Sequence, residues 1–182
     1  MDQTKITLLH DTIIKYKQME HSQLWDDIDA VLKCGQNQAA SLAESHCNSV
    51  SFWGMANVEK MITISYPDFF KFCLNTKTSV DGEKLPLIKP NGYFNAGKDT
   101  ILSLLGYKDF TITKYRDFSI LQHLEKLNPN KFYQLAVTGH FMSSYILNNQ
   151  LYIDDTMHRG MDVLAHGAYK VDAEHFIWLM EM

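Results

Sequence analysis

Residues 139–156 read GHFMSSYILNNQLYIDDT, and the fold is decided by how this stretch is read. Two β-rich runs, FMSSYIL (141–147) and QLYID (150–154), flank Asn148-Asn149, residues that tolerate the positive φ angles of a two-residue hairpin turn. Such a turn makes Leu147 face Gln150 and fixes each pair outward from there, so that Met142 meets Asp155 and His140 meets Met157. Side chains alternate faces along a strand. His140, Met142 and Asp155 are therefore expected on one side, with Asp155 diagonal to His140, and Asp154 on the other. A loop one residue longer or shorter would exchange the two carboxylates.

Working outward, FYQLAVT (132–138) and MDVLAHGAYKV (161–171) read as further strands, YKDFTIT (107–113) as another, and SILQHLEKL (119–127) and AEHFIWLM (173–180) as helices. The first half has helical spacing. Ile6, Leu9, Ile13 and Tyr16 recur along 5–20, Leu24, Ile28, Val31 and Leu32 continue the pattern, and a break falls near His21-Ser22. CGQNQAASLAESH (34–46) shows no period and reads as a loop. CNSVSFWGMANVEKMI (47–62) is apolar beyond one face, as a buried helix is, with Phe52, Trp53 and Met55 as core. Pro67 suits a helix first turn, 76–97 is mostly loop, and 98–105 is a short helix stopped by Gly106. Helices followed by an antiparallel sheet make the chain α+β.

The 182 residues suit a single domain, 46% hydrophobic and 21% charged, with 10 Phe, 9 Tyr and 3 Trp, a composition able to fill a core. A net charge of −4 with no Lys/Arg run offers no footprint for nucleic acid. No apolar run is long enough for membrane insertion, and Thr7, His10 and Asp11 interrupt what would be a secretory signal. Cys34, Cys47 and Cys73, an odd number without an export signal, read as free thiols of a cytoplasmic protein.

The three thiols differ in setting. Cys73 lies in a Phe-rich helix and reads as a small apolar residue, while Cys34 sits beside Gly35 at a helix end. Cys47 opens the apolar helix, where unpaired N–H groups and the positive end of the dipole favour a thiolate. A thiolate nucleophile needs an imidazole as acid and base, and the imidazole needs a third group to orient it. His140, at a strand edge after a turn, is the best placed of the eight histidines. Asp155 is its hairpin-determined partner, with Asp154 the alternative third member.

CNSVS opening an apolar helix resembles the nucleophile motif of papain-fold cysteine peptidases related to the bacteriocin leader peptidases, in particular their phage endolysin-associated branch. GHFMSSYILNNQLYIDDT resembles that family's His strand, turn and returning strand, which usually ends Asn-Asp-Pro. Here Asp154, Asp155 and Thr156 stand at those positions. The likeness covers about residues 34–182, which leaves 1–33 as a helical amino-terminal extension to a papain-like catalytic domain. It implies a Cys47-His140-Asp155 triad that hydrolyses an amide through a thioester without metal or cofactor. It also implies an oxyanion donor in Gln36, eleven residues before Cys47, with Gln38 the alternative; the shorter family spacing falls on Ser41. The implied substrate is a peptide link of peptidoglycan, reached from the cytoplasm by lysis or a non-classical route.

Three rivals stand beside this reading. One is a protease of protein substrates, a leader peptidase or effector; another is a binding module that kept the fold without catalysis. The third is a metal site of Asp154, Asp155, His158 and His166, disfavoured because its spacing fits no metal helix and Arg159 adjoins it. His46 is expected to face away from the thiol or line a cleft. His10, His21, His123 and His175 are expected on helices, and Asp26-Asp27 on a solvated helix face. Nothing in the chain speaks to oligomeric state.

Overall fold

The computed structural model describes residues 1–155, the backbone of 165–168, and 171–182. Its helices are α1 (Gln3–Gln18), α2 (Ser22–Leu32), α3 (Gln36–Ala43), α4 (Cys47–Val58), α5 (Tyr66–Asn75) and α6 (Lys98–Leu104). A small hairpin, β1 (Lys77–Val80) and β2 (Glu83–Pro86), lies between α5 and α6. The main sheet holds β3 (Thr113–Tyr115), β4 (Phe132–Val137), β5 (His140–Leu147), β6 (Gln150–Asp155), β7 (Ala165–Ala168) and β8 (Phe176–Glu181). Its order is β3-β8-β4-β5-β6-β7, every pair antiparallel. The class is α+β. Among the described residues no helix is long and apolar enough to cross a membrane.

The centre of the molecule is α4. Every residue in it except Asn57 is buried, because its apolar side chains surround the axis instead of forming one stripe. One flank packs on the sheet, where Ser143 on β5 donates its hydroxyl to the Ser51 carbonyl at 3.2 Å. The opposite flank meets α1. A Cβ on Gly54 would stand 3.4 Å from Ile13 and 3.7 Å from Leu9, ordinary contact distances, so α1 lies against this turn of α4 with room for a methyl and little more. Ile6, Leu9, Ile13 and Tyr16 of α1 and Leu24 and Ile28 of α2 share one apolar cluster with α4 and the near face of the sheet. The first 33 residues are thus built into the main core. A second cluster covers the far face, with Leu135, Met142, Ile146, Ile153 and Leu179 under Ile120, Leu121 and Leu124.

The hairpin forms as its turn chemistry requires. Asn148 and Asn149 take φ of 50° and 59°, Leu147 faces Gln150, and Ser143 faces Asp154, one step from the expected Met142–Asp155 pair. The His140–Met157 pair lies outside the described residues, as do parts of the strand read over 161–171; β7 falls within that stretch.

Several elements differ from the sequence expectation. Residues 34–46 are not a loop: α3 forms there because Ala39 and Ala43, one turn apart, give a small buried face that carries little hydrophobic signal. The stretch 76–97 contains the β1–β2 hairpin, its turn made by Asp81-Gly82 at positive φ. Residues 107–112 form no strand, β3 beginning only at Thr113, and 119–127 winds into two 3-10 turns, Phe118–Gln122 and Leu124–Lys126. The helix read over 173–180 is strand β8. Trp178 and Met180 enter one cluster and Leu179 the other, so a strand buried on both faces shows an unbroken apolar run. His175 accordingly sits in a turn, not a helix. Asp27 is also not solvated: it is 9% exposed and accepts from Gln23 at 3.1 Å.

Because α1 rests on the bare backbone of Gly54, Gly54→Leu should force the helices apart and cost about 1–3 kcal/mol of stability. Urea unfolding of the variant against the parent measures it, and an unchanged midpoint would contradict the close contact.

Candidate active site

At its N-terminus α4 presents Cys47, 8% exposed. The preceding residue, His46, is fully buried and anchors the turn: its Nδ1 lies 2.6 Å from the Tyr66 hydroxyl and its Nε2 2.8 Å from the Pro90 carbonyl. A carbonyl only accepts, so Nε2 carries the proton and Nδ1 accepts from Tyr66, which in turn receives the Ser49 hydroxyl at 2.6 Å. Burial is the main cause that brings the pKa of His46 down to about 4; the Pro90 contact opposes it and the charge of His21 adds to it. His46 is therefore a neutral strut facing Tyr66 and Pro90. Gly92 closes the turn that carries Pro90 at φ +85°, where a Cβ would stand 2.8 Å from the His46 Cα.

Behind the first turn of α4 runs a buried polar chain. Gln134 on β4 donates Nε2 to the Asn48 carbonyl at 2.9 Å and to Ser51 Oγ at 2.7 Å, and Ser51 donates to the Cys47 carbonyl at 2.7 Å. Lys98, 7% exposed, fixes the amide the right way round by donating Nζ to Gln134 Oε1 at 2.7 Å. Its ammonium lies 4.9 Å from the Trp178 ring centre and 5.4 Å from that of Phe94. Burial, and secondarily the charge of Lys114, brings the Lys98 pKa down to about 7.

The sheet supplies the facing groups. His140 opens β5 and Asp155 closes β6, and the hairpin register sets His140 Nε2 2.7 Å from Asp155 Oδ1. The Asp155 side chain is 4% exposed and the imidazole 22%. Cys47, at the start of α4, is close enough to the imidazole to act on its proton after Asp155. Burial alone would make the ring lose its proton, but hydrogen bonds to Asp155 and Cys47, together with their charges, outweigh it and raise the His140 pKa to about 9. Asp154 points elsewhere: its Oδ2 meets His10 Nδ1 of α1 at 3.1 Å. The arrangement brings a thiol, an imidazole and a carboxylate to one place.

The remaining sequence candidates fall outside that arrangement. Gln36 and Gln38 stand exposed on α3, and Gln36 donates its amide to Asp26 at 3.0 Å; neither hydrogen-bonds to Cys47, His140 or Asp155. Cys34 is half-buried at the α2–α3 junction, and Cys73 is sealed in α5, where burial raises its thiol to about 12. His158 lies outside the described residues and of His166 only the backbone is described. Among the described residues no group of His, Cys, Asp and Glu is placed to hold a metal ion. Sequence reading missed Tyr66, Gln134 and Lys98. Gln134, a polar residue inside the apolar run FYQLAV, carries a signal, since it implies a buried partner without naming it; Tyr66 and Lys98 carry none.

No family model, curated protein or solved structure matches this chain.

The raised His140 pKa fixes the direction of a pH effect. The folded state holds its proton more tightly than the unfolded chain, whose imidazole titrates near 6.5, so the stabilisation is complete below about pH 6.5 and is lost as pH rises through about 9. The melting-temperature gap between the parent and His140→Gln should accordingly shrink across that window; a gap that widens towards alkaline pH would contradict the pairing. Gly92→Ala, which combines positive φ with a clash on His46, should lower the melting temperature and loosen Cys47, read as slower thiol labelling.

Proposed function

We propose that this protein is a papain-like cysteine hydrolase that cleaves amide bonds, with peptide links of peptidoglycan as substrate, in the manner of a phage-type lysin. The observation that carries the reading is the His140 imidazole held at 2.7 Å by the Asp155 carboxylate and close enough to feel Cys47, which opens a buried helix. The resemblance of CNSVS and of the His140 hairpin to papain-fold peptidases supports the same conclusion.

The chemistry follows from the charges. An imidazolium beside the thiol favours the thiolate, which is the attacking species. Cys47 sulfur adds to the carbonyl carbon, and His140 gives its proton to the departing amine. His140 then takes a proton from water, which attacks the thioester and frees Cys47. Asp155 accepts from Nε2 throughout and keeps the ring turned towards sulfur. These residues supply nucleophile, acid, base and orienting group, so the mechanism calls for no metal or cofactor. On this reading the protein acts at the cell wall, reached by lysis or a non-classical route.

The decisive experiment is digestion of purified peptidoglycan by the parent and by Cys47→Ala, with products identified by mass. Loss of all cleavage in the variant is expected; cleavage of a Gly-Gly leader peptide without any attack on walls would move the substrate to proteins. Near neutral pH iodoacetamide should label Cys47 far faster than Cys34 or the sealed Cys73, and His140→Ala should remove that advantage. Equal labelling of all three thiols would leave a binding module.

A further inference from the structure

We propose that Lys98, acting through Gln134 and Ser51, is a positioning residue for Cys47: its ammonium decides which way the buried amide faces, and so whether the Ser51 hydroxyl holds the carbonyl of the nucleophile. The inference rests on the hydrolase reading and adds to it a group that acts at a remove from the thiol.

An unbroken run of short contacts joins the two residues. Lys98 Nζ lies 2.7 Å from Gln134 Oε1, Gln134 Nε2 lies 2.7 Å from Ser51 Oγ, and Ser51 Oγ lies 2.7 Å from the Cys47 carbonyl oxygen. Lys98, Gln134 and Ser51 are 7%, 0% and 1% exposed. Water is thus kept from offering a substitute partner, and each group must take what its neighbour presents. Gln134 also donates to the Asn48 carbonyl at 2.9 Å and stands 3.2 Å from the Asn48 side-chain oxygen. The Ser51 hydroxyl has the Asn48 carbonyl at 3.2 Å as its weaker alternative.

The direction of each proton follows from the lysine end. An ammonium only donates, so it claims the amide oxygen and turns Nε2 towards Ser51. Ser51 Oγ receives that N–H, and its single proton is left for a carbonyl, of which that of Cys47 is the nearer. A neutral amine both donates and accepts, and beside it the amide loses its fixed sense. Turned over, the amide oxygen would face the Asn48 carbonyl and draw the Ser51 proton away from Cys47. That carbonyl belongs to the residue whose sulfur has to meet His140, so loss of the bond loosens the nucleophile and lowers its reactivity.

The surroundings of the ammonium are apolar. The rings of Phe52, Phe94 and Trp178 have their centres 5.6, 5.4 and 4.9 Å from it. The charge that bears on it is that of Lys114 on β3, whose Nζ lies 4.6 Å from the same Trp178 ring. Burial first, and that second cation after it, bring the Lys98 pKa down to about 7. Lys98 therefore gives up its proton near neutrality, while His140, raised to about 9, still keeps its own.

The test is the rate at which iodoacetamide alkylates Cys47 across pH, measured on folded parent, Lys98→Met, Ser51→Ala and the double variant. At about pH 6 each single variant should react about tenfold more slowly than the parent, the scale of one lost hydrogen bond. The double variant should be no slower than either single one, because both substitutions cut the same path. As pH rises through about 7 the parent's rate should fall towards that of the variants, whose profiles lack the fall. An ordinary thiol gains reactivity over the same range. A residue that merely held the fold together would lower the melting temperature and leave the shape of this profile unchanged. A parent rate that holds or rises as pH passes through about 7 overturns the proposal. Single-variant rates equal to the parent's overturn it as well, as do effects that multiply in the double variant. The parent profile and Ser51→Ala decide the matter even where Lys98→Met does not fold. By contrast, a parent Cys47 alkylated no faster than Cys73 at any pH sinks the hydrolase reading beneath it.

Discussion

A helix that is apolar on every side has to be wrapped, and its polar N-terminus must then be satisfied from elsewhere. That constraint on α4 organises the molecule. One flank is closed by α1, which approaches over Gly54, and the other by the sheet, through Ser143 and Gln134. The end that carries Cys47 is met by groups from distant parts of the chain: Tyr66 and Pro90 on His46, Gln134 behind Asn48 and Ser51, and His140 on the thiol itself. The need to satisfy a buried helix end and the assembly of a reactive site are the same structural fact.

The polar chain behind α4 shows how strictly this is done. Gln134 could serve the helix with either end of its amide, and the buried ammonium of Lys98 removes the choice by claiming the oxygen. The aromatic rings of Phe94 and Trp178 around Lys98 offset part of the cost of taking its charge out of water. His46 solves a similar problem by the opposite route, staying neutral and using both ring nitrogens.

Local chemistry was legible in the sequence, and long-range satisfaction was not. Asn148-Asn149 announced the hairpin, and the period of two then carried His140 and Asp155 to one side, because turn type and pleat are decided within a few residues. Cys47 could be singled out from a change of texture at a helix start. Strand β8 was hidden because burial on both faces erases alternation, and α3 because alanine gives little contrast between its faces. Gln36 was the donor that the family resemblance implied, but it stands exposed on α3 and Asp26 takes its amide.

Strand order carries a consequence for how the molecule comes into being. Among the described strands β8 comes last in sequence but lies between β3 and β4 in the sheet. While the polypeptide emerges from the ribosome, β3 has no neighbour to pair with and β4 has an open edge until residues 176–181 arrive. The helices and the β4–β5–β6 meander can gather earlier, since their contacts are closer in sequence. Closure of the sheet is therefore the late event of biosynthesis, and the nascent chain passes through a stage with one bare edge and the apolar faces of Trp178, Leu179 and Met180 still to be housed.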